Sequence, residues 1–212
     1  MHIPDGFVNI PVAAATYVAS GGALAYAVRR TNEELGEKQV PLMGVMGAFI
    51  FAAQMLNFPV AGGTSGHLIG GALATILLGP WAGMLIMASV LVVQALIFQD
   101  GGLVALGANV LNMGVVACLV GHYAFTWLKR LLGEGTRGTV ISGFVAAWAS
   151  VVAADIVCAL ELVISGTSAL AVVLPAMTLV HVLIGIGEGL ITVAVLVFLT
   201  TTRRDLLQLR PS

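Results

Sequence analysis

Apolar residues occupy the chain in long unbroken runs, separated by very little that is polar. A helix crossing a bilayer needs about 20 apolar residues. Seven runs stand out, at about 9–28, 40–58, 67–78, 81–98, 108–128, 139–164 and 172–201. Arg29-Arg30 closes the first, Pro59 ends the second, Lys129-Arg130 closes the fifth and Arg203-Arg204 the seventh. Only 31–39 reads as a conventional polar loop, and no long linker, second domain or clear internal repeat is visible. The stretch 68–98 is continuously apolar and too long for one span at about 1.5 Å per residue. Gly79-Pro80 interrupts it, and Pro removes a helix donor while Gly permits a sharp reversal. A tight hairpin is predicted there, leaving the third run short.

Charge placement decides between six and seven spans. With seven, Arg29, Arg30, Lys38, Lys129, Arg130, Arg137, Arg203, Arg204 and Arg210 all fall on one side. Merging the third and fourth runs would set the first three against the other six. Cytoplasmic loops carry the excess of Lys and Arg. The expected fold is therefore all-α, a polytopic membrane protein of seven transmembrane helices with its N-terminus outside and its C-terminus cytoplasmic. The first run follows Met1-His2-Ile3-Pro4-Asp5-Gly6-Phe7 directly, without the basic segment of a signal peptide, so it is expected to be a retained helix.

Composition agrees with a lipid-facing chain. It is 59% hydrophobic and 9% charged, with mean hydropathy +1.04; soluble domains carry about 25% charged residues. A net charge of -1 points to neither nucleic acid nor an acidic substrate. Cys118 and Cys158 lie in apolar runs without metal-ligand spacing and read as inert thiols. Small residues recur at helical spacing in Gly44-xxx-Ala48-xxx-Ala52, Gly66-xxx-Gly70 and Gly185-xxx-Gly189. Such stripes let backbones approach closely. Each fits packing inside the bundle; the one in the second run also fits a docking face for a partner helix.

Four histidines are present: His2, His67, His122 and His181. His2 and His67 fall at the outer side, the latter opening the third helix after the charge-free 60–66 loop. His181 falls in the outer half of the seventh helix. His122 falls in the inner half of the fifth, where it reads as structural or interfacial. A chain starting Met-His offers a free amine, the amide nitrogen of residue 2 and its imidazole. A metal joined to all three closes a five- and a six-membered ring. The amide must lose its proton, and a planar nitrogen set suits Ni(II) or Cu(II). A fourth nitrogen is needed, and His67 is the nearest candidate in depth.

Asp155, Glu161 and Glu188 lie within predicted helices, where buried charge usually marks a cavity or a partner. Glu161 and Glu188 are expected near the outer half, in support of a cation site, with Asp155 deeper. Ligating histidines usually carry an outer hydrogen-bond partner, which makes His181 and Glu188 the candidates for that supporting shell. Met43, Met46 and Met55 fit core packing. No GxxxxGK[ST], HExxH or GxSxG occurs, which speaks against nucleotide, protease and esterase chemistry in this chain.

Met1-His2-Ile3-Pro4-Asp5-Gly6-Phe7 together with Gly62-Gly63-Thr64-Ser65-Gly66-His67-Leu68-Ile69-Gly70-Gly71 resembles the CbiM/NikM family. These are substrate-binding S components of energy-coupling-factor nickel and cobalt importers. The resemblance spans essentially the whole chain and implies one domain over 1–212, an extra N-terminal helix at about 9–28 and a six-helix core at about 40–201. It implies Ni2+ or Co2+ as the bound substrate, no cofactor, and a metal held by the Met1 amine, the His2 amide and imidazole, and the His67 imidazole. It also implies that the helix bearing Ala48 and Ala52 meets a transmembrane coupling subunit. Two cytoplasmic ATPases supply the energy in such systems, and a small additional membrane subunit is often present. The chain itself is then no enzyme but a multi-pass subunit of a prokaryotic cell membrane. Nickel comes first because a planar nitrogen set with a deprotonated amide rewards Ni(II), and cobalt is the alternative. A membrane-embedded metalloenzyme would need an open coordination position. A vitamin-binding S component would need an aromatic-lined pocket, yet aromatics are 7%.

Overall fold

The computed structural model of the chain describes residues 1–36, 39–60, 64–133 and 135–202. Lys38, Gly62, Gly63, Arg203, Arg204 and Arg210, each used above, lie outside the described residues. Seven helices appear among those described: α1 (Ile10–Glu34), α2 (Val40–Gln54), α3 (Gly71–Leu78), α4 (Pro80–Phe98), α5 (Leu106–Leu132), α6 (Thr136–Ile164) and α7 (Leu170–Thr202). Five are long and apolar enough to cross a membrane; α2 and α3 are shorter. Large apolar side chains such as Val18, Val45, Leu179 and Leu190 are exposed, as expected where the solvent is hydrocarbon.

Local chemistry sets the ends. Asn9 caps α1, its side chain accepting from Val12 N at 2.9 Å, with Pro11 in the first turn. At the other end Arg29 and Arg30 pair with Glu33 and Glu34 one turn on, carrying the helix into the segment expected as loop. Gly79 takes φ +84° and Pro80 starts α4, so the reversal expected at Gly79-Pro80 is present. Both α4 and α5 contain π-helical turns, at Gln94–Phe98 and Val110–Val116, a distortion often found beside functional sites.

Between α2 and α3 the chain departs from the expected pattern. The second helix stops at Gln54, short of Pro59, and a small antiparallel ribbon follows, pairing Phe58 with Gly66 and Val60 with Thr64. The third helix begins at Gly71, not at His67. Gly70, at φ +83°, breaks it, and a Cβ on Gly71 would touch Ala117 at 3.3 Å. Ala117 lies about 16 Å along α5 from Leu106 at 1.5 Å per residue. Residues 64–70 therefore descend into the bundle as extended chain, and α3 completes the crossing as a half-length helix. His67 sits inside the bundle rather than at the outer rim.

Non-helical backbone at this depth needs partners, because no water is there to satisfy it. Glu188 supplies two of them: Ile69 N donates to Oε2 at 2.6 Å and Gly70 N to Oε1 at 2.9 Å. Gln54 Nε2 donates to Ile69 O at 2.7 Å. The Gly66-xxx-Gly70 spacing is thus not a helical stripe. Gly185 and Gly189 do face a neighbour: added Cβ atoms would meet Trp148 and Phe144 of α6 at 3.0 and 2.7 Å. Gly44, Ala48 and Ala52 are exposed on α2.

Chain direction alternates, so the ends of the bundle differ. The N-terminal ends of α1, α5 and α7 gather with the C-terminal ends of α4 and α6; Tyr17 OH donates to Leu103 O, and Thr167 Oγ1 to Phe7 O. Arg29, Arg30, Lys129, Arg130 and Arg137 occupy the opposite end of their helices.

Candidate metal centre

The first residues fold inward from α1 and are buried: Met1 and Ile3 are 0% exposed, His2 3% and His67 1%. Four contacts seat this segment. Ile3 N donates to Asn109 Oδ1 at 2.8 Å, and Ile3 O accepts from Asn109 Nδ2 at 3.1 Å and from Gly102 N at 2.9 Å. The Asn109 side chain thereby stands in for a strand partner. Asp5 accepts from Val104 N at 2.7 Å and Leu103 N at 3.1 Å, fixing the turn that leads into α5. Glycine is required where turn and segment meet. A Cβ on Gly102 would lie 2.3 Å from Asp5 N, and one on Gly101 3.2 Å from His2 Cδ2.

Two backbone nitrogens converge on one hydroxyl. The Met1 amine lies 3.2 Å, and the His2 amide 3.1 Å, from Ser65 Oγ. A five-membered chelate ring needs these nitrogens on the same side, and they already face one point. The His2 ring stacks on His67 with centroids 4.4 Å apart and planes 27° from parallel. His2 Nε2 lies 3.0 Å from Gln94 Oε1, and Nδ1 lies 3.3 Å from Asp100 Oδ1. With Nε2–H donating to Gln94, Nδ1 keeps the lone pair that the six-membered ring uses. His67 Nδ1 donates to Leu68 O at 2.7 Å, and its buried Nε2 has no hydrogen-bond partner. A lone pair is thus left on that nitrogen.

Burial also sets protonation. Desolvation lowers the Met1 amine from 8.0 to about 5, against the opposing pull of Cys158, Asp100 and Asp155. Desolvation, then the neighbouring amine, lowers His2 to about 4, while Asp100 and Gln94 pull it up. Burial holds His67 well below 6.5. At neutral pH all three are neutral bases, the state in which nitrogen binds metal. Among the described residues no group of three or more His, Cys, Asp or Glu side chains gathers for a metal. A cation in this cluster draws on backbone nitrogen instead.

The structure brings Met1, His2 and His67 together. Glu188 holds the backbone that follows His67 rather than an imidazole, and the depth order expected for the acids is reversed. Gly185 and Gly189 pack on Trp148 and Phe144, so Glu188 is level with about residue 145 of α6, roughly 15 Å below Asp155 at 1.5 Å per residue. His181 pairs with Asp155 on α6, Nδ1 to Oδ1, at 2.9 Å. Glu161 accepts from Asn112 at 2.6 Å. His122 stacks edge-on against Tyr123, away from the cluster. Gln94, Asp100 and Asn109 take part although sequence reasoning passed over them. Gln94 and Asn109 carried a readable signal: buried amides inside apolar helices need a partner.

Residues 2–206 match the profile of the CbiM family, described as a cobalt uptake substrate-specific transmembrane region. A putative fused nickel transport protein NikMN of Archaeoglobus fulgidus is 43% identical over 98% of this chain and 68% of its own length. A putative metal transport protein of Haloquadratum walsbyi is 42% identical over 97% of this chain and 93% of its own. The crystal structure of a truncated transition metal transporter superposes with a TM-score of 0.85 at 34% identity, covering 95% of this chain and 99% of that one.

Proposed function

The chain belongs to the CbiM family, and from that premise we propose that it is the metal-capturing membrane subunit of an importer, taking Ni2+, or Co2+ in the second reading, from outside. The observation that carries the reading is the convergence of the Met1 amine and His2 amide on Ser65 Oγ, beside two neutral imidazoles in a buried pocket. In the proposed cage the amine, the deprotonated amide, His2 Nδ1 and His67 Nε2 form a four-nitrogen set. A planar set of this kind fits Ni(II). Cobalt remains the second reading because the family's description names its uptake.

The cage lies at the end of the bundle opposite the basic residues. The positive-inside bias then puts the cage outside and Arg29, Arg30, Lys129, Arg130 and Arg137 in the cytoplasm. Counting α2, and α3 with its extended lead-in, the chain crosses seven times, α1 standing apart from a six-helix core as an additional N-terminal helix. The chain is a multi-pass protein of the cell membrane and no enzyme in its own right. A transmembrane coupling subunit, meeting the exposed Ala48 and Ala52 of α2, and two cytoplasmic ATPases are the partners of this reading. A small additional membrane subunit accompanies them in some systems.

The test is metal analysis and calorimetry of the native protein beside one with a single Gly added before Met1. The extension turns the amine into an amide and moves the new amine about 3.8 Å along the chain. Nickel binding should fall by orders of magnitude, whereas undiminished binding by the extended chain would rule the amine out as a ligand.

A further inference from the structure

Beside the cage lies a second imidazole system that the four-nitrogen set does not use. His181 on α7 is 0% exposed, and its Nδ1 lies 2.9 Å from both Met177 O and Asp155 Oδ1. Both partners are acceptors, so Nδ1 carries the proton and Nε2 the lone pair. That Nε2 is buried and has no hydrogen-bond partner. Asp155 is itself tied down, its Oδ2 accepting from Thr178 Oγ1 at 2.9 Å. A carboxylate behind an imidazole whose far nitrogen is bare is the arrangement that orients and enriches a metal-ligating histidine. The pair is also close to the cage, because the charge of His181 is felt at His67 and that of Asp155 at the Met1 amine.

A planar four-nitrogen nickel site is closed in its plane and open above and below it. Such centres exchange ligands by adding a fifth donor before losing one of the four. Release therefore calls for a nearby base that is not already in the plane. Resting on the proposed function, the geometry points to His181 as a transfer ligand. Its Nε2 adds to the cation held by Met1, His2 and His67, and draws it inward while Asp155 holds the ring. The metal–Nε2 bond forms first. The amide nitrogen then leaves with its lone pair and regains a proton from solvent. The cation next rests between His67 and His181, one step nearer the middle of the membrane.

The test uses the full chain in detergent, loaded with nickel, and the rate at which excess chelator removes it. His181→Gln and His181→Ala should load as the native protein does, with the same number of nitrogen neighbours by X-ray absorption. Nickel removal should slow about tenfold or more, and Asp155→Asn should give a smaller slowing, since carboxylate partners shift metal affinity or activity by about 10–100-fold. Native removal rates in both His181 variants overturn the inference. So does loss of a nitrogen neighbour in the loaded variants, which would make His181 a resident ligand. Failure of all three variants to fold would mark the pair as a helix tie and overturn it as well. A native chain that takes up no nickel removes the proposed function together with this step, whereas a loaded native chain with unaffected variants removes this step alone.

Discussion

Substituting Gly102 by Ala tests the seating of the N-terminal segment without touching any proposed ligand. The added Cβ would lie 2.1 Å from Asp5 Oδ1 and 2.3 Å from Asp5 N, where ordinary contact begins at 3.4 Å. The two strands must separate by about 1.1–1.3 Å, the difference between those values. The bonds from Val104 N and Leu103 N to Asp5, now 2.7 and 3.1 Å, would stretch past hydrogen-bonding range. Hydrogen bonds to a charged acceptor contribute about 1.5–3 kcal/mol each, and because Asp5 is exposed and water competes, the lower end applies. Losing both costs about 3 kcal/mol in the seated form, roughly a hundredfold in its population. Nickel affinity by calorimetry should fall by up to that factor. Independently, the Met1 amine of the metal-free variant should react faster with an acylating reagent, since it leaves its pocket more often. An affinity within about threefold of native, with unchanged amine reactivity, would show that the 100–105 turn does not hold the segment, and the reasoning would fail.

Protonation gives a second prediction. Because the folded protein lowers the Met1 amine from 8.0 to about 5 and His2 from 6.5 to about 4, their contribution to the metal-free fold is present above about pH 8 and is lost as pH falls toward those values. Nickel binding at pH 7 should release about one proton, the amide's, rising toward two as pH falls through about 5; calorimetry in buffers of different ionisation enthalpy counts them, and two released at pH 7 would contradict a neutral buried amine. Ala48→Trp or Ala52→Trp should leave nickel binding intact but stop uptake in cells carrying the coupling subunits, because a large side chain forces apart a close helix contact; normal uptake would exclude that face. An impermeant thiol reagent on intact cells should label Leu103→Cys but not Asn32→Cys, and the reverse would invert the orientation.

What was legible in the sequence follows from how lipid treats the backbone. In hydrocarbon every N–H and C=O must find a partner within the protein, and a helix does so locally. Runs of apolar residues therefore located all seven helices, and Gly79-Pro80 marked the reversal between the third and fourth. Boundaries were missed where charged side chains pair along the helix, as Arg30 and Glu34 do beyond the expected end of α1. The ribbon after α2 carried no alternating pattern to announce it, since it consists of only three residues on each side.

The proposed cage was legible for a different reason. The chelate of a Met-His terminus follows from covalent connectivity alone, so Met1 and His2 could be named without knowing where they lie. His67 could be named only by depth, and the depth assigned to it was wrong, because residues 64–70 have their backbone satisfied by remote side chains. Glu188 and Gln54 serve this segment from other helices, and no local pattern in 64–70 announces them. The same physics explains Glu188. A carboxylate inside an apolar helix was expected to support a cation site through an imidazole. It instead meets two backbone N–H groups at the start of α3, where the helix dipole favours negative charge. That placement ties the depth of His67 to α7. A cation held partly by His67 is thus coupled mechanically to α7, and any movement of α7 against α6 is felt first at the fourth nitrogen of the proposed cage.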